Sequence, residues 1–307
     1  MALKALLVGV NAYSGTQPLY GCVNDVKKMN NLLNERYQLT ADRTRLLIDG
    51  AATKDAINVG LRWLAECDTG ERNPVRLFHF SGHGVRVPDE NGDEADGQDE
   101  CLVPVDYQTA GYLFDDALKV LYDACGADTH LLLTMDCCHS GGNQRDLSNK
   151  VIYRTLVREP EEEVRVEAEI RAAGQRNRQQ RDAFLRQSMR DMLQSNPGTI
   201  SDDEIEQRML AIQAKYEKQH YGIENVEGNT ILIAACRPDQ KAGDAGFDDG
   251  NNGVLTYHLV QALAGGQLSY DALIQQVGRA LVNTFDQVPQ LECGASQRNL
   301  PFLLAAS

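Results

Sequence analysis

Four short apolar runs, Ala5–Val10, Thr44–Ile48, Val75–Phe80 and Leu131–Met135, set the strongest limit on what this chain can fold into. They are rich in Leu and Val and mostly lack the alternation of a half-exposed strand. They therefore read as strands covered on both faces, the habit of a parallel sheet. Helical patterns fill the intervals at Asn24–Glu35 and Lys54–Glu66, with Thr53 placed to cap the second. Strands alternating with helices predict an α/β fold whose mostly parallel central sheet is flanked by helices.

The texture changes between Lys150 and Gly228, which hold 13 Lys/Arg and 15 Asp/Glu. This stretch reads as exposed or half-exposed helix, broken at Asn196-Pro197-Gly198. Strand character returns at Thr230–Ala235, followed by helix patterns at Gly253–Leu263 and at Tyr270–Phe285, the latter capped by Ser269. A short strand-and-loop region ends the chain. Neither flank has enough strands for a separate domain, so one sheet interrupted by an insert is expected. The expected division is 1–146, 147–228 as a charged helical linker, and 229–307 completing the same sheet.

Composition narrows the function classes. A formal net charge of −14 argues against nucleic acid, whose phosphates need a basic face. It suits cationic substrates and cationic cofactors. No apolar run approaches the roughly 20 residues of a membrane span. The opening Met1–Val10 run is too short for a secretory leader and lacks a small-residue cleavage site, so it reads as a first buried strand. The eight cysteines are then expected as free thiols in a cytoplasmic protein, and no Cys-x-x-Cys spacing suggests zinc.

Two strand ends carry the chemistry. One reads Phe78-His79-Phe80-Ser81-Gly82-His83-Gly84, and the other Leu133-Thr134-Met135-Asp136-Cys137-Cys138-His139-Ser140-Gly141-Gly142. In open α/β sheets, sites form outside the carboxyl ends of strands, where glycines let the backbone turn. A His between glycines at one end and a Cys before Ser-Gly-Gly at the other suit a Cys/His pair, the imidazole promoting the attacking thiolate. The N–H groups of Gly84 and Cys138 could hold an oxyanion. A phosphatase loop needs five residues between its Cys and Arg, and Cys138 to Arg145 has six. His139 is a poor base for its own neighbour, because adjacent side chains meet badly for proton transfer.

These blocks resemble metacaspases and their prokaryotic relatives in the caspase-like superfamily. The match runs through Leu19–Asp25, Phe80–Gly84, Asp96–Glu100, Phe114–Asp116 and Asp136–Gly141, then Ala235–Gln240 and Pro289–Leu291. It covers roughly 3–146 and 229–304 and leaves the insert outside. The resemblance implies a caspase-like fold and a cysteine endopeptidase with His83 as base and Cys138 as nucleophile, Cys137 being a packing residue. It also implies an acidic S1 pocket of Cys22, Asp25, Ser81 and Asp136, hence cleavage after Arg or Lys. Caspases proper place arginines in that pocket, and none stands at these positions. For Asp25 alone, a helix N-terminal charge would be an ordinary role.

Ten acidic residues and no Lys or Arg lie between Pro88 and Leu118. Hard cations such as Ca²⁺ take six to eight oxygens, largely from carboxylates. By resemblance, an activating calcium would fall on Asp99, Asp115, Asp116 and Asp146; at the fourth position Arg145 stands where the family has its ligand, with Asp146 next to it. The linker is dense in basic residues: Arg145, Lys150, Arg154, Arg158, Arg165, Arg171, Arg176, Arg178, Arg181, Arg186 and Arg190. An enzyme specific for such residues is expected to be a zymogen that cuts itself there, nearer the start, with one of them blocking S1 beforehand. Expected partners are protein or peptide substrates with a basic P1 residue, acted on by a monomer. The competing readings are a catalytically silent caspase-like scaffold or calcium-responsive binding module, a calcium-independent relative, and a Cys/His peptidase with another P1 preference, such as Asn.

Overall fold

The computed structural model describes residues 2–68, 70–89, 97–114, 117, 118, 121, 125, 128–138, 151–195, 201, 204, 205, 207–209, 211, 212, 230–237, 240–282 and 284–303. The expected buried runs become β1 (Leu3–Gly9), β2 (Thr44–Ile48), β3 (Val75–Ser81), β7 (His130–Asp136) and β9 (Thr230–Ala234). With β12 (Gln290–Cys293) they form a six-stranded sheet in the order β12-β9-β7-β3-β1-β2. All neighbours are parallel except β12, which runs antiparallel to β9. Every residue of β1, β3 and β7 is buried, which is why these segments read as unbroken apolar runs. Shorter strands are β4 (Gly84–Pro88), β5 (Gln98–Leu102) and β6 (Leu113–Phe114). A three-stranded sheet β11-β10-β8 joins Gly250–Gly253, Gly243–Phe247 and Val151–Tyr153.

Helices α1 (Cys22–Tyr37) and α2 (Lys54–Ala65) follow β1 and β2, as the periodicity predicts. The Thr53 hydroxyl accepts the Ala56 N–H, satisfying one orphan donor of the first turn of α2. A short α3 is Tyr107–Ala110, and α4 is the 36-residue helix Pro160–Ser195. Helices α5 (Val254–Ala264) and α6 (Tyr270–Leu281) come last. Ser269 caps α6 through the Ala272 N–H; this helix ends four residues before the expected Phe285. Val26, Met29 and Leu33 of α1 share one core cluster with Leu255 and Leu259 of α5 and Leu273 and Val277 of α6. Each such side chain, fully buried, contributes roughly 1.5–3 kcal/mol. At Gly9 a Cβ would stand 2.6 Å from the Cys22 carbonyl oxygen, so only glycine lets the first turn of α1 sit against the end of β1.

The chain divides into two compact units. One comprises 1–85, 100–158 and 226–307, the other 86–99 and 159–225. Residues 151–158, expected within the linker, thus belong with the sheet. In the second unit, Asn177 of α4 donates to the buried Asp89 carboxylate at 2.6 Å. No described helix is long and apolar enough to cross a membrane.

Candidate active site

The parallel register sets Ser81 of β3 opposite Asp136 of β7 and Gly9 of β1 opposite Ser81, so three strand ends finish side by side. His83 follows β3. Its backbone N–H donates to the Tyr13 hydroxyl at 3.0 Å, and Tyr13 donates to the Val103 carbonyl at 2.8 Å, which pins the turn. His83 Nε2 lies 2.7 Å from the Gln17 carbonyl oxygen. A carbonyl only accepts, so Nε2 carries the hydrogen and Nδ1 the lone pair. Nδ1 is buried and makes no hydrogen bond. Burial lowers the imidazole pKa to about 4, against the pull of the Gln17 and Arg154 backbones and with help from the Arg154 charge, so the ring is neutral at neutral pH. Cys138, just past β7, is 1% exposed. Burial drives the Cys137 thiol well above the usual range, which keeps that side chain a protonated packing group.

Residues 151–156 run through this site as an extended segment. Strand β8 pairs antiparallel with β10, Tyr153 opposite Gly243, Ile152 opposite Asp244 and Val151 opposite Ala245. The Arg154 N–H donates to the Ala242 carbonyl at 2.9 Å. Its own carbonyl oxygen accepts from the Gly84 N–H at 3.0 Å and from the Cys138 N–H at 3.3 Å. Beyond it, the Leu156 N–H donates to the Gly84 carbonyl at 2.9 Å. This is how an extended peptide adds as a strand to a sheet edge, with main-chain bonds on both sides of one residue.

The side chain of that residue fills the acidic pocket. Arg154 is 0% exposed. Nη1 donates to Ser81 Oγ at 2.7 Å and to the Asp136 carbonyl at 2.9 Å, and lies 3.3 Å from Asp136 Oδ1. Nη2 donates to Asp25 Oδ2 at 2.7 Å and reaches Asp244 Oδ2 at 3.4 Å. The carboxylates are themselves held. Asp136 Oδ2 accepts the Thr256 N–H and hydroxyl in the first turn of α5, at 2.8 and 2.6 Å, where the helix dipole favours an anion. Asp25 accepts the Gly253 N–H at 2.9 Å and the Ser81 hydroxyl at 2.7 Å. Burial raises the pKa of the Asp25 carboxyl and Asp136 raises it further, while Arg154 opposes both. Burial also drives the Cys22 thiol far up, leaving it a neutral wall of the pocket near Arg154. A Cβ at Gly253 would stand 2.3 Å from Asp136 Oδ2 and 2.5 Å from Arg154 Nη1, so the pocket exists only with glycine there.

The structure therefore gathers His83, Gly84, Cys138, Cys22, Asp25, Ser81 and Asp136 around one internal arginine. A model of the family described as "Caspase domain" matches residues 2–301. The chain belongs to the caspase-domain family. It is 28% identical to metacaspase-1 of Schizosaccharomyces pombe, over 94% of this chain and 67% of that one. It is 30% identical to metacaspase-1A of Aspergillus oryzae over the same shares, 94% and 67%. The fold resembles the crystal structure of a Geobacter sulfurreducens protein with a TM-score of 0.61 at 21% identity, covering 98% of this chain and 97% of that one. At this level the protein is a metacaspase-like cysteine peptidase with a caspase-like α/β fold.

Several residues of this caspase-domain site were not singled out in the sequence. Asp244 adds a third carboxylate, whose Oδ2 also accepts the Gly21 N–H at 2.9 Å. The Gln17 carbonyl orients His83, and Tyr13, Gly253 and Thr256 set the frame. An acidic residue inside the Gly243-Asp244-Ala245-Gly246 strand was the available signal for Asp244. Among the basic linker residues, Arg145 and Lys150 lie outside the described residues. Arg158 is half-buried, and Arg165, Arg171, Arg176, Arg178, Arg181, Arg186 and Arg190 sit on α4. The charged helical pattern read from the sequence is here one continuous helix, and a helix offers no extended backbone to a protease. Of the residues implied for calcium, Asp99 is 6% exposed, while Asp115, Asp116 and Asp146 lie outside the described residues. Among the described residues no three His, Cys, Asp or Glu side chains gather as a metal-holding group.

Proposed function

We propose that the protein is an endopeptidase that cuts after Arg, and after Lys less readily, and that its first substrate is its own Arg154–Thr155 bond. One observation carries this reading: a single residue has its guanidinium among Asp25, Asp136 and Asp244 while its carbonyl oxygen accepts from the N–H groups of Gly84 and Cys138. The two ends of a P1 residue are satisfied at once. Arg154 sends Nη1 and Nη2 to different acceptors, a fork that a Lys ammonium cannot reproduce, which supports the ranking of Arg over Lys.

The steps follow from the groups present. His83 Nδ1 takes the thiol proton, and Cys138 Sγ attacks the Arg154 carbonyl carbon. The negative charge that develops on the carbonyl oxygen is held by the two N–H groups already bonded to it. Collapse breaks the C–N bond, and His83 delivers the proton to the Thr155 nitrogen, releasing a new amino terminus and leaving a thioester on Cys138. Water, deprotonated by His83, hydrolyses the thioester and frees the Arg154 carboxylate. Until then the protein is latent, because its own chain occupies S1. We further propose calcium as an activator, on the strength of the ten acidic residues between Pro88 and Leu118. A fluorogenic panel of Arg, Lys and Asp peptides, with and without calcium, tests the reading beside Cys138→Ala. Equal turnover of Arg and Asp peptides, or full activity in Cys138→Ala, would overturn it.

A further inference from the structure

The contacts of Arg154 account for P1, but the residues before it are held as well. We propose that the protein reads two further positions, an aliphatic side chain at P4 and an aromatic one at P2, in a shared cleft beside β10; this rests on the reading of Arg154 as P1. Pairing with β10 fixes β8 in register, and successive side chains on a strand point to opposite faces. Val151 and Tyr153 therefore share one face, and Ile152 lies on the other.

That face is built. Val151 packs against the core cluster formed by the helices and the main sheet. Lys241 Nζ stands 5.4 Å from the centroid of the Tyr153 ring, within cation–π range. A Cβ at Gly243 would come 3.0 Å from a Val151 methyl carbon, so glycine leaves the room that the P4 side chain takes. Between the two guest side chains and Lys241, Phe285 and Asp286 a cavity of about 70 Å³ remains. The internal segment thus underfills its own cleft. An external substrate with a larger aliphatic group at P4 fits better than the chain's own Val151, which lets it displace the segment after the cut. The chemical class recognised is an extended peptide of the form aliphatic-any-aromatic-Arg, with Ile or Leu ahead of Val at P4. Ile152 is not among the residues lining this cavity, so the cleft itself gives P3 no selection.

The test uses the full chain and fluorogenic peptides built on Val-Ile-Tyr-Arg, varied one position at a time. Each methylene added at P4 is expected to raise kcat/KM by about four-fold until the cavity is full. Tyr to Ala at P2 is expected to lower it about ten-fold or more, since an aromatic ring and its packing are lost. Lys241→Ala should shrink the advantage of Tyr over Ala at P2 by about two- to five-fold. In the chain itself, Tyr153→Ala should slow cleavage after Arg154, and Ile152→Ala should not. Arg peptides cut at one rate whatever stands at P2 and P4, or Asp favoured over Tyr at P2, would overturn the cleft while leaving the P1 reading intact. Peptides ending in Arg and Asp cut alike, or no cutting of any peptide or of the chain, would overturn both.

Discussion

Arg154→Ala separates the roles that one side chain combines. The wild-type guanidinium is wholly buried and shared among Asp25, Asp136 and Asp244. Removing it should abolish the cut at 154–155, because no cation remains to seat that bond. It should also unmask the site. A segment tethered by the short stretch after Cys138 acts at an effective concentration on the order of millimolar. Against a KM of roughly 0.1 mM, that holds an uncut enzyme down by about ten-fold or more. Arg154→Ala is therefore expected to turn over an Arg peptide at least about ten-fold faster than uncut wild type, without self-cleavage. Initial rates, with intact mass recorded on the same samples, read both effects. Stability supplies an independent check. The variant leaves three carboxylates facing one another, and Asp25, already raised by burial, rises further. A carboxyl whose folded pKa exceeds its unfolded one binds more protons when folded, so its stability contribution is lost as pH rises toward the folded pKa. The melting temperature of Arg154→Ala should thus fall more steeply than that of wild type above the ordinary carboxylate range, and Arg154→Lys should restore part of it. A variant that still cuts itself after position 154, or that stays as silent as uncut wild type, would refute the assignment.

Other consequences are open to the same assays. Asp136→Ala should lower kcat/KM for Arg peptides by about 2–5 kcal/mol of transition-state stabilisation, the usual loss when one partner of a buried charge pair is truncated. The acid limb of kcat/KM should lie low, because burial lowers the His83 pKa to about 4 and leaves the base neutral well below neutral pH. A limb near the ordinary imidazole value would show that the emptied site is far more hydrated than the occupied one. Millimolar calcium should raise activity and chelator reverse it, with Asp115→Ala and Asp116→Ala blunting the response. Full activity in chelator would remove calcium from the account.

The sheet was legible in the sequence because β1, β3 and β7 are buried on both faces and leave unalternating runs. His83 was legible because glycines flank it at a strand end, and Cys138 because it stands at another strand end shortly before Ser140-Gly141-Gly142. Strand β8 was not, since Val151–Tyr153 is three residues long and owes its conformation to pairing with β10. Asp244 and Thr256 join the site only because β10 and the start of α5 are folded against Asp25 and Asp136, more than a hundred residues away in sequence. Arg154 was visible as one of many basic residues after Cys138. What sets it apart is position rather than type: its neighbours on α4 carry the same side chain on a helical backbone. The Gln17 carbonyl has no side-chain signature at all, and backbone groups of this kind appear only when the chain is folded.

The most direct measurement is the sequence of any new amino terminus formed when purified wild type is incubated with calcium, set beside Cys138→Ala under the same conditions. Wild type is expected to yield a fragment beginning at Thr155 with a partner ending at Arg154, the two remaining associated because β7 and β9 are neighbours in one sheet. Cys138→Ala is expected to stay whole, and Cys137→Ala to cut at the same bond. The same fragments from Cys138→Ala, or a first cut at another residue in wild type, would contradict the account.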